Sequence, residues 1–200
     1  MKKKDLHIIG ASGHAKAVID LLEDKSMIAA VYDDNPKIGE ILGIRVQSPG
    51  SKIINAIGKV HIAIGDNKIR RKIVESLTSE TKYQTIVHQS ALVSTLAKMG
   101  DGTVVMEGAI IKVDSEIGNH VIINTGASID HDCRIDDFVH IGPGSTLCGN
   151  IKVGEGTLVG AGTVVVPGVS IGSWCVIGAG SVVHQDVPDG AKWIGNRLYI

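Results

Sequence analysis

The sequence predicts a small parallel α/β sheet followed by a parallel β-helix, and three observations carry that reading. Ile and Val supply 28 and 22 of the 200 residues, whereas the aromatic residues are Trp 2, Tyr 3 and Phe 1. Glycine stands at 25, with seven in residues 1–86 and eighteen in residues 87–200. From Val87 onward an aliphatic residue recurs at every sixth position as far as Val183. Many β-branched residues, many glycines and few aromatics favour short strands with tight corners over a helical bundle.

The first half alternates strand and helix signals. Leu6 to Ile9 is a short apolar strand, and Gly10-Ala11-Ser12-Gly13 is the turn after it. His14 to Leu22 places Ala15, Val18, Ile19 and Leu22 on one helical stripe. Met27 to Tyr32 reads as a second strand ending in Asp33-Asp34-Asn35-Pro36. Lys59 to Ile64 reads as a third, ending in Gly65-Asp66-Asn67, with a helical Lys68 to Leu77 behind it. Strands alternating with helices build a parallel sheet.

The second half obeys a six-residue period. The seventeen positions from Val87 to Val183 are all aliphatic, and four residues after each stands something small or β-branched, such as Ala109, Ser115, Cys133 or Thr157. Gly, Asn and Asp fill ten of the sixteen positions directly after the aliphatic one, and these residue types tolerate positive φ at a corner. An unbroken hexad is the signature of a parallel β-helix. Three hexads make one coil, so residues 18 apart stack at the strand spacing of ~4.8 Å. The period leaves the hand of the coil open. The expected domains are 1–82 and 83–200.

Charge and targeting signals narrow the function. A formal net charge of -1 excludes a global basic field for nucleic acid or anionic membrane. No run of 18 apolar residues offers a membrane span. The Lys2-Lys3-Lys4 run is followed by Asp5 and by an apolar stretch, Leu6 to Ala11, too short for a secretory leader. Three cysteines without CxxC spacing fit neither a disulfide framework nor a zinc knuckle. The expectation is a cytoplasmic protein.

The hexads resemble the hexapeptide acyltransferases, whose β-helix is left-handed. The resemblance narrows with Ile8-Ile9-Gly10-Ala11-Ser12-Gly13-His14-Ala15-Lys16, Tyr32-Asp33-Asp34-Asn35, and Ala63-Ile64-Gly65-Asp66-Asn67 with Arg70-Arg71-Lys72. These segments look like the nucleotide-sugar-binding domain of the branch holding the bacillosamine-pathway N-acetyltransferases, their perosamine relatives and the sialic acid O-acetyltransferases. Asn124-Thr125-Gly126-Ala127-Ser128-Ile129-Asp130-His131-Asp132-Cys133 is similar to that branch's catalytic stretch. The resemblance spans nearly the whole chain. It implies acetyl-CoA as co-substrate, a nucleotide-linked amino sugar as acceptor, a homotrimer, and no metal. His131 then matches the general base, Asp132 its acidic neighbour, and Gly149 the amide that meets the thioester oxygen. His140, Ala161 and Ala179 match the coenzyme A side, while Ser12, Gly13, His14, Asp33, Asp34 and Gly65 match the nucleotide-sugar side. One departure stands at the end: Gly195-Asn196-Arg197-Leu198-Tyr199-Ile200 replaces the family's usual Gly-x-Pro-Ala-Lys/Arg tail.

The residues themselves weigh the same way. His131 is third in its hexad, so it points outward, and a step of 18 puts Gly149 directly over it. A base beside a side-chain-free backbone suits acyl transfer to an amine. A solvated histidine with ordinary acidic neighbours is the plain alternative. A zinc site of the β-helix carbonic anhydrase kind would have to use His120, His131 and His140, which hold the fourth, third and sixth hexad places and form no stacked row. An acetyl-cysteine on Cys148 would need a neighbouring basic group that the sequence does not show. The Gly10-to-Gly13 turn lacks the full dinucleotide GxGxxG, yet N–H groups at a helix start hold a pyrophosphate. The expected activity is N-acetylation of a UDP-4-amino-dideoxy sugar. Sugar O-acetylation is the alternative, and a non-catalytic scaffold stands third.

Overall fold

The structure, a computed structural model, describes residues 4–48 and 58–200, so Lys2 and Lys3 of the N-terminal lysine run lie outside the described residues. The chain divides into two compact units, Met1–Ile86 and Val87–Ile200.

The first unit is built on β1 (Leu6–Ile9), α1 (Gly13–Asp20), β2 (Ile28–Tyr32), β3 (Glu40–Ile41), β4 (Ile44–Gln47), β5 (Lys59–Ile62), α2 (Asn67–Ser76) and β6 (Lys82–Tyr83). The strand order is β3-β4-β2-β1-β5-β6, and every neighbouring pair is parallel except β3 with β4. Ile8, Val31 and Ile62 form the sheet's buried spine, and α1 covers it with Ala15, Val18 and Ile19. The β3–β4 hairpin escaped the sequence reading. It turns on Leu42 and Gly43, both at positive φ (46° and 78°), and a leucine in that place is a weak hairpin signal. From β1 the chain moves to β2 on one side and later to β5 on the other. A crevice at the carboxyl ends of these strands is where open α/β sheets hold ligands.

The second unit is a left-handed parallel β-helix. Its strands are two residues long and pair in register 18 residues apart, as in Val105↔Ile123 and Ile123↔Ile141. The first face runs through Val104–Val105, Ile122–Ile123, His140–Ile141, Leu158–Val159 and Val176–Ile177. The second runs through Ile110–Ile111, Ser128–Ile129, Thr146–Leu147, Val164–Val165 and Val182–Val183. The third runs through Lys98–Met99, Glu116–Ile117, Arg134–Ile135, Lys152–Val153 and Ser170–Ile171. Aliphatic hexad residues such as Ile129, Leu147 and Val159 fill the interior, each contributing roughly 1.5–3 kcal/mol by burial. The hexad's opening member departs from this, with Val87 exposed. The small residues fit beside them, and their buried hydroxyls are satisfied: Ser145 Oγ donates to the Gly160 carbonyl at 2.9 Å and Thr157 Oγ1 to Gly172 at 2.7 Å.

The corners correct one expectation. Positive φ does not fall on the residue directly after the aliphatic position. It falls two residues later, at Gly102, Asp114, His120, Gly126, Asp132, Phe138, Gly144, Asn150 and onward. The glycines directly after the aliphatic position serve packing instead. A Cβ on Gly142 would lie 2.7 Å from the Ala161 nitrogen, and one on Gly160 would lie 2.5 Å from the Ala179 nitrogen. The tail forms an antiparallel hairpin, Lys192–Ile194 with Arg197–Tyr199, continuing the first face. It buries Trp193, whose indole N–H lies 3.1 Å from the carbonyls of Val182 and Gly195.

In the first unit His61 on β5 is buried, with Nδ1 2.9 Å from the Gln84 carbonyl. Burial lowers its pKa from 6.5 to about 4. Between those values the unfolded chain binds a proton that the folded chain refuses, so stability complete above pH 6.5 declines as pH falls toward 4. Urea midpoints should drop between pH 7.5 and pH 5, and the drop should shrink in His61→Gln. Equal pH slopes for wild type and variant would refute this role.

Candidate active site

Three corners join the three faces, and the corner after the second face carries His131. Ladder bonds stack Val113, His131, Gly149 and Pro167: Asp132 N–H to the Val113 carbonyl (3.2 Å), Asn150 N–H to His131 (3.0 Å) and Gly168 N–H to Gly149 (3.1 Å). His131 points outward, as its hexad place predicts, while Ile129 and Cys133 point in. Asp130 Oδ1 accepts the His131 backbone N–H at 2.8 Å. Asp132, at φ 59°, turns its carboxylate onto the ring, where Oδ2 lies 2.7 Å from Nδ1. That bond puts the proton on Nδ1 and leaves the Nε2 lone pair to act.

The Nε2 edge of the ring lies against Gly149. A Cβ built there would sit 2.7 Å from Nε2 and 2.6 Å from Cε1, so only glycine leaves the imidazole its place. The Gly149 N–H lies between two ladder donors, Cys148 to Val165 and Asn150 to His131, and neither bond uses it. The hydrogen bond to Asp132 raises the His131 pKa above 6.5, Asp130 adds to the rise, and desolvation and Lys112 oppose it. Cys148, half-buried, packs against the core beside this corner, and Cys133 Sγ donates to its carbonyl at 3.1 Å.

The other coenzyme A candidates occupy another corner. Thr125, Pro143, Ala161 and Ala179 stack at the corner after the first face, through Gly144 N–H to Thr125, Gly162 N–H to Pro143 and Gly180 N–H to Ala161. Ala161 and Ala179 are exposed there. His140 stands on the first face leading to that corner, with Nε2 3.1 Å from Asn124 Nδ2. Asn124 Oδ1 accepts the Thr125 N–H at 2.8 Å, which aims Nδ2 at His140. Asn124 received no role from the sequence, because its contact to His140 crosses between coils. His120 sits at the third corner, buried and stacked on Phe138 at 5.3 Å, so the three histidines of the zinc alternative stand at three different places around the coil.

The first unit has its own crevice, a cleft of about 460 Å³ at the carboxyl ends of β1 and β2. Ala11, Ser12, Gly13 and Lys16 line one wall, and Asp33, Asn35, Lys37 and Ile38 the other. Gly10 and Gly13 serve different needs. Gly10 has φ 114°, and a Cβ would sit 2.7 Å from the Ala63 carbonyl oxygen, so the turn itself requires it. A Cβ on Gly13 would meet nothing within 4 Å, so that glycine leaves open space at the start of α1. Ser12 makes no side-chain cap, and the first turn of α1 holds no acid. His14 packs against Gly65, whose carbonyl lies 3.3 Å from the buried Arg70 guanidinium. Asp34 is exposed and off the lining. Lys16, Lys37 and Ile38 escaped the site reading: Lys16 lies one helical turn past Gly13, and the two others follow Pro36 in a loop without periodicity.

A hexad-coiled prism with a histidine held against a glycine backbone is the architecture of the hexapeptide transferases, and residues 114–149 and 150–185 match the bacterial transferase hexapeptide (six repeats) model. Residues 5–77 match the PglD N-terminal domain. The chain superposes with TM-score 0.91 on a mutant of perosamine N-acetyltransferase from Caulobacter crescentus in complex with CoA and GDP-perosamine, at 37% identity over 98% of this chain and 97% of that one. It superposes with TM-score 0.89 on the acetyltransferase domain of PglB from Neisseria gonorrhoeae in complex with acetyl coenzyme A, at 34% identity over 98% of each. The UDP-N-acetylbacillosamine N-acetyltransferase of Bacillus subtilis (strain 168) is 40% identical over 109 residues. That match spans 50% of this chain and 50% of that protein, about half the length of the curated relative. The chain belongs to the acetyltransferase family that joins a PglD N-terminal domain to a hexapeptide β-helix.

Gly149→Ala tests the packing of the dyad. The chain should fold with its cooperative melt intact, because the Cβ meets the movable tip of a side chain. The His131 ring should be displaced, and activity should fall by about tenfold or more. Wild-type activity in Gly149→Ala would show that the ring position is immaterial.

Proposed function

We propose that this protein transfers the acetyl group of acetyl-CoA to the amino group of a nucleotide-linked sugar, a UDP-4-amino-dideoxy sugar. One observation carries the reading: the His131 Nε2 edge sits against the Gly149 backbone while Asp132 holds Nδ1. The sugar nitrogen attacks the thioester carbonyl as Nε2 takes its proton. The carbonyl oxygen becomes an oxyanion beside the Gly149 N–H. Collapse expels the CoA thiolate, which takes the proton back from the imidazolium. Asp132 stabilises that imidazolium and fixes the tautomer.

The first unit supplies the acceptor site. The open start of α1 at Ser12, Gly13 and His14 is suited to a diphosphate, with Lys16 and Lys37 as cations on the same cleft. The relatives support this chemistry, one named for UDP-N-acetylbacillosamine and another solved with CoA and GDP-perosamine. No described helix is long and apolar enough to cross a membrane. We assign the reaction to the cytoplasm, the compartment that supplies acetyl-CoA and nucleotide-linked sugars.

A CoA-release assay over UDP-, dTDP- and GDP-amino sugars and free sialic acid decides the acceptor. Release with a UDP-amino sugar is expected, and release with sialic acid alone would favour O-acetylation. His131→Ala should cut kcat by ~10²–10⁴ while both ligands still bind. Because the base must be neutral, activity should fall as pH drops through a pKa above 6.5, and Asp132→Asn should move that limb to lower pH. Full activity in a folded His131→Ala variant would sink the mechanism.

The resemblance suggests a homotrimer, and the spacing of the corners supports a site shared between copies. The His131–Gly149 corner and the Ala161–Ala179 corner are the two edges of the second face, up to about 20 Å apart for six residues at ~3.3 Å each. A shared site therefore draws its second corner from another copy. The outward residues also differ by face: the second exposes Leu92, Val164 and Val182, whereas the third carries Lys98, Glu116, Arg134 and Lys152, with Lys98 and Glu116 paired at 2.7 Å. Light scattering should return three times the 21.0 kDa chain mass. An active monomer would exclude a shared site.

A further inference from the structure

In dinucleotide-binding sheets an acid at the end of the second strand accepts a hydrogen bond from a ribose hydroxyl. Asp33 holds that place, and each of its oxygens already accepts one backbone N–H. Oδ2 accepts the Ala11 N–H at 2.8 Å, and Oδ1 accepts the Asn35 N–H at 2.9 Å. Its own N–H donates to the Gln47 carbonyl at 3.0 Å. Ala11 opens the turn after β1, Asn35 lies in the turn after β2, and Gln47 ends β4. One residue thus ties the carboxyl ends of three adjacent strands. Gly10 N–H to the Tyr32 carbonyl, 2.7 Å, carries the β1–β2 ladder to the strand ends. Beyond it the Asp33 side chain spans the two turns that form opposite walls of the cleft.

The charges on those walls sort by sign. Lys16 and Lys37 are the cations of the lining, and Asp33 is its carboxylate. The two N–H dipoles aimed at the Asp33 carboxylate offset part of the repulsion it would exert on a diphosphate, and Lys16 and Lys37 on the same lining offset more. The same two bonds fix where the Ala11–Gly13 turn presents its amides. We propose that Asp33 is a positioning residue that braces the Ala11–Gly13 turn against the Asn35 turn, so that the acceptor's diphosphate meets that turn with Lys16 and Lys37 and the ribose hydroxyls do not depend on Asp33. This rests on the nucleotide-sugar reading of the cleft.

Asp33→Asn is the test, since the amide offers one acceptor oxygen where the carboxylate offers two and turns an NH₂ on the remaining N–H. Amide hydrogen exchange in the unliganded protein should quicken at Ala11 and Asn35, and Asp34→Ala should leave both unchanged. By calorimetry, UDP, 2′-deoxy-UDP and inorganic pyrophosphate should weaken by one common factor of about tenfold. The acceptor KM should rise with kcat and the acetyl-CoA KM unchanged. A loss confined to UDP, with 2′-deoxy-UDP and pyrophosphate unaffected, would make Asp33 a reader of the ribose and overturn the brace. Unaltered exchange at both amides would overturn it as well. Wild-type protein that binds neither UDP, GDP nor pyrophosphate would instead defeat the nucleotide reading of the cleft and the diphosphate part of this proposal, while the exchange rates decide the brace on their own.

Discussion

The 18-residue register between successive coils is the constraint on which the second unit depends. Each coil donates its N–H groups to the carbonyls of the next, so no position can slip without moving every side chain above and below it. The register explains why the interior accepts only aliphatic and small residues, and why the buried hydroxyls of Ser145 and Thr157 find carbonyls 15 residues on. It also sets the chemistry. His131 reaches Gly149 because 149 is one coil beyond 131, and the ring fits because position 149 has no side chain. An imidazole and a backbone amide far apart in the chain are brought together by the pairing of successive coils.

Glycines in this chain answer to different forces. Gly126 and Gly144 carry positive φ at corners, where Asp132, Phe138 and Asn150 accept the same conformation under the pressure of the ladder. Gly142 and Gly160 have ordinary φ and make room for the next coil. Gly13 needs neither, and a Cβ there would meet nothing within 4 Å, so neither backbone conformation nor packing requires glycine at the start of α1. The composition alone does not separate these roles.

Charge placement follows the same division of labour. The third face carries ion pairs exposed to solvent, Lys98 with Glu116 and Arg134 with Asp136, of small worth to stability. At the His131 corner Asp132 holds the ring and Asp130 the backbone N–H, and the two charges favour the protonated imidazole. In the first unit, burial holds His61 neutral and pulls Arg70 down to about 10, where the guanidinium still ties the Ile64 carbonyl at 2.9 Å and so steadies the segment leading to Gly65.

Much of this was legible in the chain. The unbroken hexad from Val87 to Val183 encodes the coil, its interior and the stacking of His131 with Gly149, because a parallel ladder of constant period turns sequence distance into spatial position. The strand–turn–helix segments of the first half were visible for the same reason, each being a local pattern. Contacts that cross between elements were not. Trp193 closing the last coil, the Leu42–Gly43 hairpin, Asn124 against His140 and the cleft residues Lys16, Lys37 and Ile38 arise from packing that no period records. Asp33 marks the boundary between the two kinds of knowledge. Its place at the end of the second strand was readable from sequence, but where its carboxylate points depends on how β1, β2 and β4 end side by side, and that only the tertiary structure decides.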